Sequence, residues 1–310
     1  MTAKSNTWAI IYCPKTGTLR PQKRWQRIER CLKEQNVEYD FVQSEKSSGV
    51  GRLVKMMVDN GYNTIVIVGG DSALNDAANA IMMVPKEDRE KIRLGVIPNG
   101  RFNDFAHFWD YQESEIEQTI ACLRKGNTRK IDLGCIRYTN KKGERCHRYF
   151  LNSLTIGLVA SVMNMRRKTR SIIGSKTLSY IPSTLLMIFQ RLEYKMHLNI
   201  NADEVRRKVM TVCIGNASGY GFTPSAVPYN GLLDVTVVYH PQMTQLFEGL
   251  YLLYSGKILN HKSVHPYRTR EIIVQKAERA SIGIDGRLMN TPVGPFRVCV
   301  EQEVLHFIVP

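Results

Sequence analysis

The 310-residue sequence predicts two folds in series: a doubly wound α/β domain with a parallel sheet over residues 1–134, then an antiparallel β-sandwich over 135–301. Three observations carry this. Apolar strands alternate with amphipathic helices as far as Gly134, the pattern of βαβ units. Beyond Gly134, strand-like runs follow one another between polar turns. Two early strands end in loops, Gly69-Gly70-Asp71 and Pro98-Asn99-Gly100, that lead straight toward helices.

In order, the first part reads as strands over 8–12, 39–42, 64–68 and 93–97, alternating with helices over 21–35, 50–60, 76–83 and 113–125. The strand over 64–68 is apolar and β-branched, as a parallel strand buried on both faces must be. An alanine-rich helical pattern from Leu74 to Met83 follows it. Leu94-Gly95-Val96-Ile97 is again a hydrophobic strand, and Asn103-Asp104 stands where a helix N-cap belongs. In the second part, strands are expected over 135–139, 146–153, 196–202, 204–214, 233–239, 272–276, 280–284 and 296–301. Asn140-Lys141-Lys142-Gly143 and Asn201-Ala202-Asp203-Glu204 are turns, and helices over about 161–191 and 244–259 interrupt the sandwich.

Composition bounds the function. A hydrophobic fraction of 43% suits a globular chain with a sizeable core. Seven cysteines without a Cys-x-x-Cys pair argue against a metal or redox motif, and an odd count with no export signal points to reduced thiols in cytoplasm. The longest apolar candidate for a membrane span, Tyr180 to Phe189, is broken by Pro182, Ser183 and Thr184, so the protein is expected to be soluble or at most peripheral. The net charge of +15 attracts polyanions. No helix-turn-helix, zinc spacing or aromatic-basic RNA motif is present, so nucleic acid is not expected as a partner. An anionic bilayer fits better if the substrate is a lipid. Arg166-Arg167-Lys168-Thr169-Arg170 is the densest basic run, read either as a solvated helix face or as a membrane patch.

The chemistry concentrates at the two glycine loops. A strand that turns through Gly69-Gly70 into a helix leaves backbone N–H groups free at the helix N-terminus, where the dipole favours a phosphate. Asp71 between turn and helix can hold a metal, accept a proton or cap the helix. On adjacent strands the two loops would bring Asp71 and Asp104 to one cleft.

Taken in order, these segments resemble the catalytic domain of diacylglycerol kinases and the related bacterial lipid kinases, whose loops read Gly-Gly-Asp-Gly-Thr-Leu-Asn-Glu and Pro-Leu-Gly-Thr-Gly-Asn-Asp-Phe-Ala. Tyr12-Cys13-Pro14-Lys15-Thr16-Gly17 is similar to the family's opening turn, and Lys130-Ile131-Asp132-Leu133-Gly134 to its Ile-Asp-Leu-Gly. Phe150-Leu151-Asn152-Ser153, Ile156-Gly157, Asn216 with Gly219 and Pro224, Asn230-Gly231-Leu232-Leu233-Asp234-Val235 and Ile284-Asp285-Gly286 continue the match. The resemblance implies the NAD-kinase/diacylglycerol-kinase-like fold, with residues 302–310 returning to the first domain. It further implies a nucleotide-binding first domain, a lipid-substrate second domain, ATP and Mg²⁺ as cofactors, and phosphoryl transfer to a lipid hydroxyl.

By the same resemblance the nucleotide would be held by Cys13, Pro14, Lys15, Thr16, Gly17, Ser44 and Gly69 to Asp76 (Gly70, Asp71, Ser72, Ala73, Leu74 and Asn75 between them). Arg101, Asn103, Asp104 and Asp132 complete that set. Asp71 and Asp285 are the candidate bases, with Asp285 preferred because Asp71 sits near the phosphates. A further Mg²⁺ would lie near Val227, Asn230 and Leu232. The resemblance also allows a homodimer and a cytoplasmic protein peripheral at the inner membrane face. Departures fall on the loops: Ser72 and Ala73 replace Gly and Thr, and Arg101 and Phe102 replace Thr and Gly. Cys13 and Asn230 replace Asn and Asp, and Arg287 replaces the Glu of Asp-Gly-Glu. They mean either a changed substrate or a catalytically impaired descendant that binds nucleotide or lipid. NAD kinase shares the Gly-Gly-Asp-Gly loop, but Asn103-Asp104-Phe105-Ala106 and Asn230-Gly231-Leu232-Leu233-Asp234 favour the lipid branch. The apolar stripe Phe247, Leu250, Tyr251, Leu252, Leu253 and Tyr254 reads as core packing, with an acyl-channel wall as the alternative.

Overall fold

A computed structural model describes residues 4–14, 21–45, 49–100, 103–161, 193–218, 221–239, 243–289 and 292–310. Lys15, Thr16, Gly17, Arg101, Phe102, Gly219, the basic run from Arg166 to Arg170 and nearly all of the helix expected over 161–191 lie outside these residues. The chain divides into two compact units, Met1–Leu133 with Gln302–Pro310, and Gly134–Glu301.

The first unit is a parallel sheet of β1 (Lys4–Tyr12), β2 (Tyr39–Gln43), β3 (Tyr62–Gly69) and β4 (Arg93–Pro98), in the order β2-β1-β3-β4. The end of the last strand, β16 (Phe296–Ile308), adds parallel to β4 at His306↔Arg93 and Phe307↔Leu94. Ile65 to Val68 are buried without exception, because a doubly wound sheet is covered on both faces and β-branched side chains pack well on a pleat. Around the sheet lie α1 (Pro21–Glu34), α2 (Val50–Asp59), α3 (Asp71–Met82), the short α4 (Lys86–Arg89) and α5 (Asp104–Phe108), and α6 (Ile116–Lys125). Helix α3 starts at Asp71 rather than at 76, since the N–H groups of Ala73 and Leu74 already bond the Gly70 carbonyl.

The second unit holds two sheets. One is β12 (Val264–Thr269), β11 (Leu233–Val238), β10 (Thr211–Gly215), β7 (Ser153–Gly157), β14 (Ile282–Ile284) and β15 (Arg287–Met289), in that order. The other joins β6 (Arg145–Phe150), β5 (Thr128–Thr139), β16, β13 (Glu271–Ala277), β8 (Tyr194–Ile200) and β9 (Asp203–Val209). Inward residues of both, among them Leu198, Ile200, Ile214, Val235, Ile272 and Val298, form one apolar core, as in a sandwich.

Two expected strands are in fact pairs. The run over 204–214 splits at Met210, where the chain passes from β9 in one sheet to β10 in the other; Met210 bonds outward, giving its N–H to Val238 and its carbonyl to Leu158. The run over 146–153 splits into β6 and β7 because the N–H groups of Leu151, Asn152 and Ser153 turn to the Asp285 carboxylate. Strand β12 has no alternating signal in the sequence: exposed His265 and Pro266 stand side by side, with Arg268 exposed beyond Tyr267. Helix α7 (Met243–Tyr254) ends before the expected 259 and a 3₁₀ turn, Ile258–Asn260, follows Gly256 at φ 70°.

Candidate active site

In the order β2-β1-β3-β4 the sense in which successive strands are added switches between the parallel neighbours β1 and β3, and ligands of open α/β sheets sit beyond the carboxyl ends of the strands at such a point. There β1 ends in Cys13-Pro14 and β3 in Gly69-Gly70. The Cys13 N–H bonds the Val68 carbonyl at 2.8 Å, and the Ser44 N–H at the end of β2 bonds the Tyr12 carbonyl at 2.8 Å. Asn99 completes the edge: its N–H reaches the Gly69 carbonyl at 2.9 Å and its Nδ2 the Cys13 carbonyl at 3.2 Å. Arg24 of α1 donates to the Pro98 carbonyl at 3.1 Å. These bonds tie the ends of the four strands to one another.

Over this edge the two glycine loops touch. A Cβ on Gly70 would lie 2.8 Å from the Gly100 Cα, and one on Gly100 would lie 2.4 Å from the Gly70 Cα and 2.4 Å from the Asn103 Oδ1. Only glycine fits at either position, for reasons of space, since Gly70 has φ −103°. Asn103, buried at φ 55°, accepts the Gly100 N–H at 2.7 Å and shapes the second loop.

Asp71 binds the two loops together. Its carboxylate accepts the N–H of Asp104 at 3.2 Å and of Phe105 at 3.1 Å, so it caps the N-terminus of α5 from the neighbouring loop rather than capping its own helix. Burial raises its pKa, partly offset by these backbone donors. Ser72 and Asp76 are half-buried on α3, whereas Ala73, Leu74 and Asn75 are buried in the unit. Cys13 is half-buried and its thiol is pushed up to about 12 by desolvation, with Asp76 adding to it. Pro14 is half-buried beside it and Ser44 is buried. Asp132 is buried and accepts the Glu303 N–H at 2.9 Å, which holds Glu303 at φ 50° in the middle of β16. Pro98-Asn99-Gly100 after an apolar strand marks this loop in the sequence, but the resemblance assigns neither Asn99 nor Gly100 to the site, and the structure places both at its centre.

In the second unit the matching motifs gather in a buried polar cluster. Asp285 is 1% exposed, and its Oδ2 accepts the Leu151 N–H at 2.8 Å while Oδ1 accepts those of Asn152 and Ser153 at 3.0 and 2.9 Å. The Asn216 side chain donates to the Leu151 carbonyl at 2.9 Å. Asp285 and Gly286 have φ 41° and 77°, the positive pair a type I′ hairpin turn requires. Half-buried Arg287 follows on β15.

The residues around Asn230 do not fit a hard divalent cation. The Oδ1 of exposed Asn230 accepts the Leu232 N–H at 3.0 Å, the Val227 carbonyl accepts the Tyr229 N–H at 2.9 Å, and the carboxylate of Asp234 is held by Arg268 at 2.7 and 3.2 Å. The donors are neutral or engaged where Mg²⁺ prefers charged oxygen. Among the described residues no group of three or more His, Cys, Asp or Glu is placed to hold a metal.

The architecture is that of the NAD kinase and diacylglycerol kinase folds. Residues 7–136 match the diacylglycerol kinase catalytic domain, and residues 152–309 the YegS C-terminal NAD kinase beta sandwich-like domain. The chain belongs to the diacylglycerol kinase family of lipid kinases. It is 22% identical to YtlR of Bacillus subtilis (strain 168), provisionally named a lipid kinase, over 96% of this chain and 98% of that one. It is 20% identical to a diacylglycerol kinase of Staphylococcus carnosus (strain TM300), covering 89% and 87%. In fold it is similar to a provisionally named diacylglycerol kinase of Bacillus anthracis str. Sterne, with a TM-score of 0.73 at 16% identity over 99% and 98% of the two chains. Yeast NADH kinase complexed with NADH gives 0.52 at 10% identity over 98% and 84%.

Proposed function

We propose that the chain is an ATP-dependent lipid kinase that transfers the γ-phosphate to a hydroxyl of a diacylglycerol-like or sphingoid lipid. The observation that carries this reading is the Gly70–Gly100 backbone contact, locked by Asp71, at the carboxyl edge of the sheet where it reverses. Phosphoryl transfer asks the protein for positioning and charge stabilisation. The N-terminus of α3 supplies donors and a positive dipole end, with Gly69 to Asn75 as the phosphate-facing segment. Cys13, Pro14, Ser44, Asp76, Asn103 and Asp104 stand around the same edge, with Lys15, Thr16, Gly17 and Arg101 assigned by the resemblance.

Asp71 lies in the first turn of that helix and carries negative charge toward an incoming polyphosphate. Mg²⁺ bound to the nucleotide would offset that charge, supplying Lewis-acid polarisation of the transferred group. The raised pKa and partial exposure of Asp71 suit proton acceptance from the lipid hydroxyl. Asp285 is 1% exposed and accepts three backbone N–H groups, against two on the less buried Asp71, and serves in this reading as an anchor of the second, lipid-binding domain. Asp132 acts likewise as an anchor of the first.

The protein acts at an anionic membrane surface as a peripheral enzyme of the cytoplasmic face. Among the described residues no helix is long and apolar enough to cross a membrane. Arg287 where relatives carry an acid favours a second reading, a nucleotide- or lipid-binding protein that has lost transfer. Labelled ATP with a total lipid extract separates them. Radioactive phospholipid supports the kinase; nucleotide binding with no labelled lipid selects the second reading.

A further inference from the structure

Helix α7 is apolar on opposite faces. Leu252 and Leu253 pack on Val238, Ile258 and Val264. Phe247, Leu250, Tyr251 and Tyr254, at the i, i+3, i+4, i+7 spacing of one stripe, are 77%, 42%, 70% and 96% exposed. The core-packing expectation therefore holds for the first pair and fails for these four. A contiguous exposed apolar patch of this kind marks an interaction site.

We infer that this stripe is the membrane-docking face of the protein, with an anionic bilayer as its occupant. Charge complementarity selects the bilayer. From 243 to 262 the chain has one acid, Glu248, against Lys257 and Lys262. Lys257 and Lys262 are exposed immediately beyond the stripe, where they meet lipid headgroups. Two copies meeting through this face would instead bring charges of +15 together. The area also argues against a dimer. Four such side chains offer on the order of 500 Å², short of the roughly 800 Å² per partner that a stable protein interface buries. The side chains themselves are those of a bilayer interface: tyrosine rings at headgroup depth with phenylalanine and leucine beside them. The inference rests on the lipid-kinase reading, because an enzyme acting on a lipid hydroxyl has to reach its substrate in the membrane.

The test uses the full chain, with vesicles of phosphatidylcholine alone or mixed with phosphatidylglycerol. Wild type should sediment with the mixed vesicles and lose this binding as salt is raised. Phe247→Ser/Tyr251→Ser/Tyr254→Ser should bind at least about tenfold more weakly, with unchanged unfolding temperature, because its apolar contact is gone. Tyr254→Trp should keep binding and gain fluorescence that brominated lipid quenches beyond the wild-type level. Vesicle binding without that added quenching, or unchanged binding of the triple serine variant, overturns the inference. So does a wild-type dimer in light scattering that the triple variant converts to monomer. Transfer to a short-chain diacylglycerol in detergent is measured in parallel. Transfer without quenching of the added tryptophan overturns the docking face alone, and quenching without transfer overturns the kinase reading alone.

Discussion

Replacing Asp285 tests whether it anchors the second unit or takes a proton. Asp285→Ala removes the acceptor for three buried backbone N–H groups, those of Leu151, Asn152 and Ser153. Each orphaned donor costs about 1–3 kcal/mol, less where water can enter. Alanine at φ 41° adds about 1 kcal/mol. The expected loss is about 5 kcal/mol. Asp285→Asn keeps the shape, tolerates positive φ and retains one oxygen for two of the bonds, but points an amide at the third N–H. Its cost should be about 2 kcal/mol. In urea, at a slope of about 3 kcal/mol per molar, the midpoints should fall by roughly 1.7 M and 0.7 M, with the slope unchanged. Circular dichroism across a urea series reads this, in the transition to which the β-sandwich contributes. An alanine variant that unfolds within about 0.2 M of wild type would show that the three bonds are not holding the corner between β6 and β7. A normal midpoint with abolished transfer would restore Asp285 as the base.

The candidate site yields three further expectations. Asp71→Asn should lower phosphate transfer by about 10²–10⁴-fold while nucleotide affinity changes far less, as measured by single-turnover kinetics beside calorimetry. Because burial raises the Asp71 pKa and a base must be deprotonated, the acid limb of kcat/KM should lie above the ordinary aspartate range; a limb at or below that range would refute this base. Gly70→Val pushes a side chain into the Gly100 backbone and should abolish ATP binding at a stability cost of about 1–3 kcal/mol; unaltered affinity would remove this loop from the nucleotide site. Cys13, despite partial exposure, should react slowly with thiol reagents at neutral pH because its thiol is pushed up to about 12, whereas Cys122 and Cys146, also half-buried, react before it; mass spectrometry of partially labelled protein checks the order.

Elements whose cause is local were legible in the sequence. The β-branched run that becomes β3 and the amphipathic helices α1 and α2 carry their period in the chain, and the Asp-Gly and Asn-to-Gly turns carry their backbone requirement. The Gly69-Gly70 pair and Asn99-Gly100, each after an apolar strand, likewise announced where two loops would lie. What those loops do to each other depends on strand order, which no local pattern encodes. Only the adjacency of β3 and β4 presses Gly70 against Gly100 and turns Asp71 from a cap on its own helix into the cap of α5. The same holds for Asp285, which the resemblance offered as a candidate base. The pairing of β14 with β7 lays its carboxylate against three N–H groups from a distant corner. For α7, sequence determined that both faces are apolar; tertiary packing decided which one is covered, because the core beneath it has room for Leu252 and Leu253 and none for the stripe opposite.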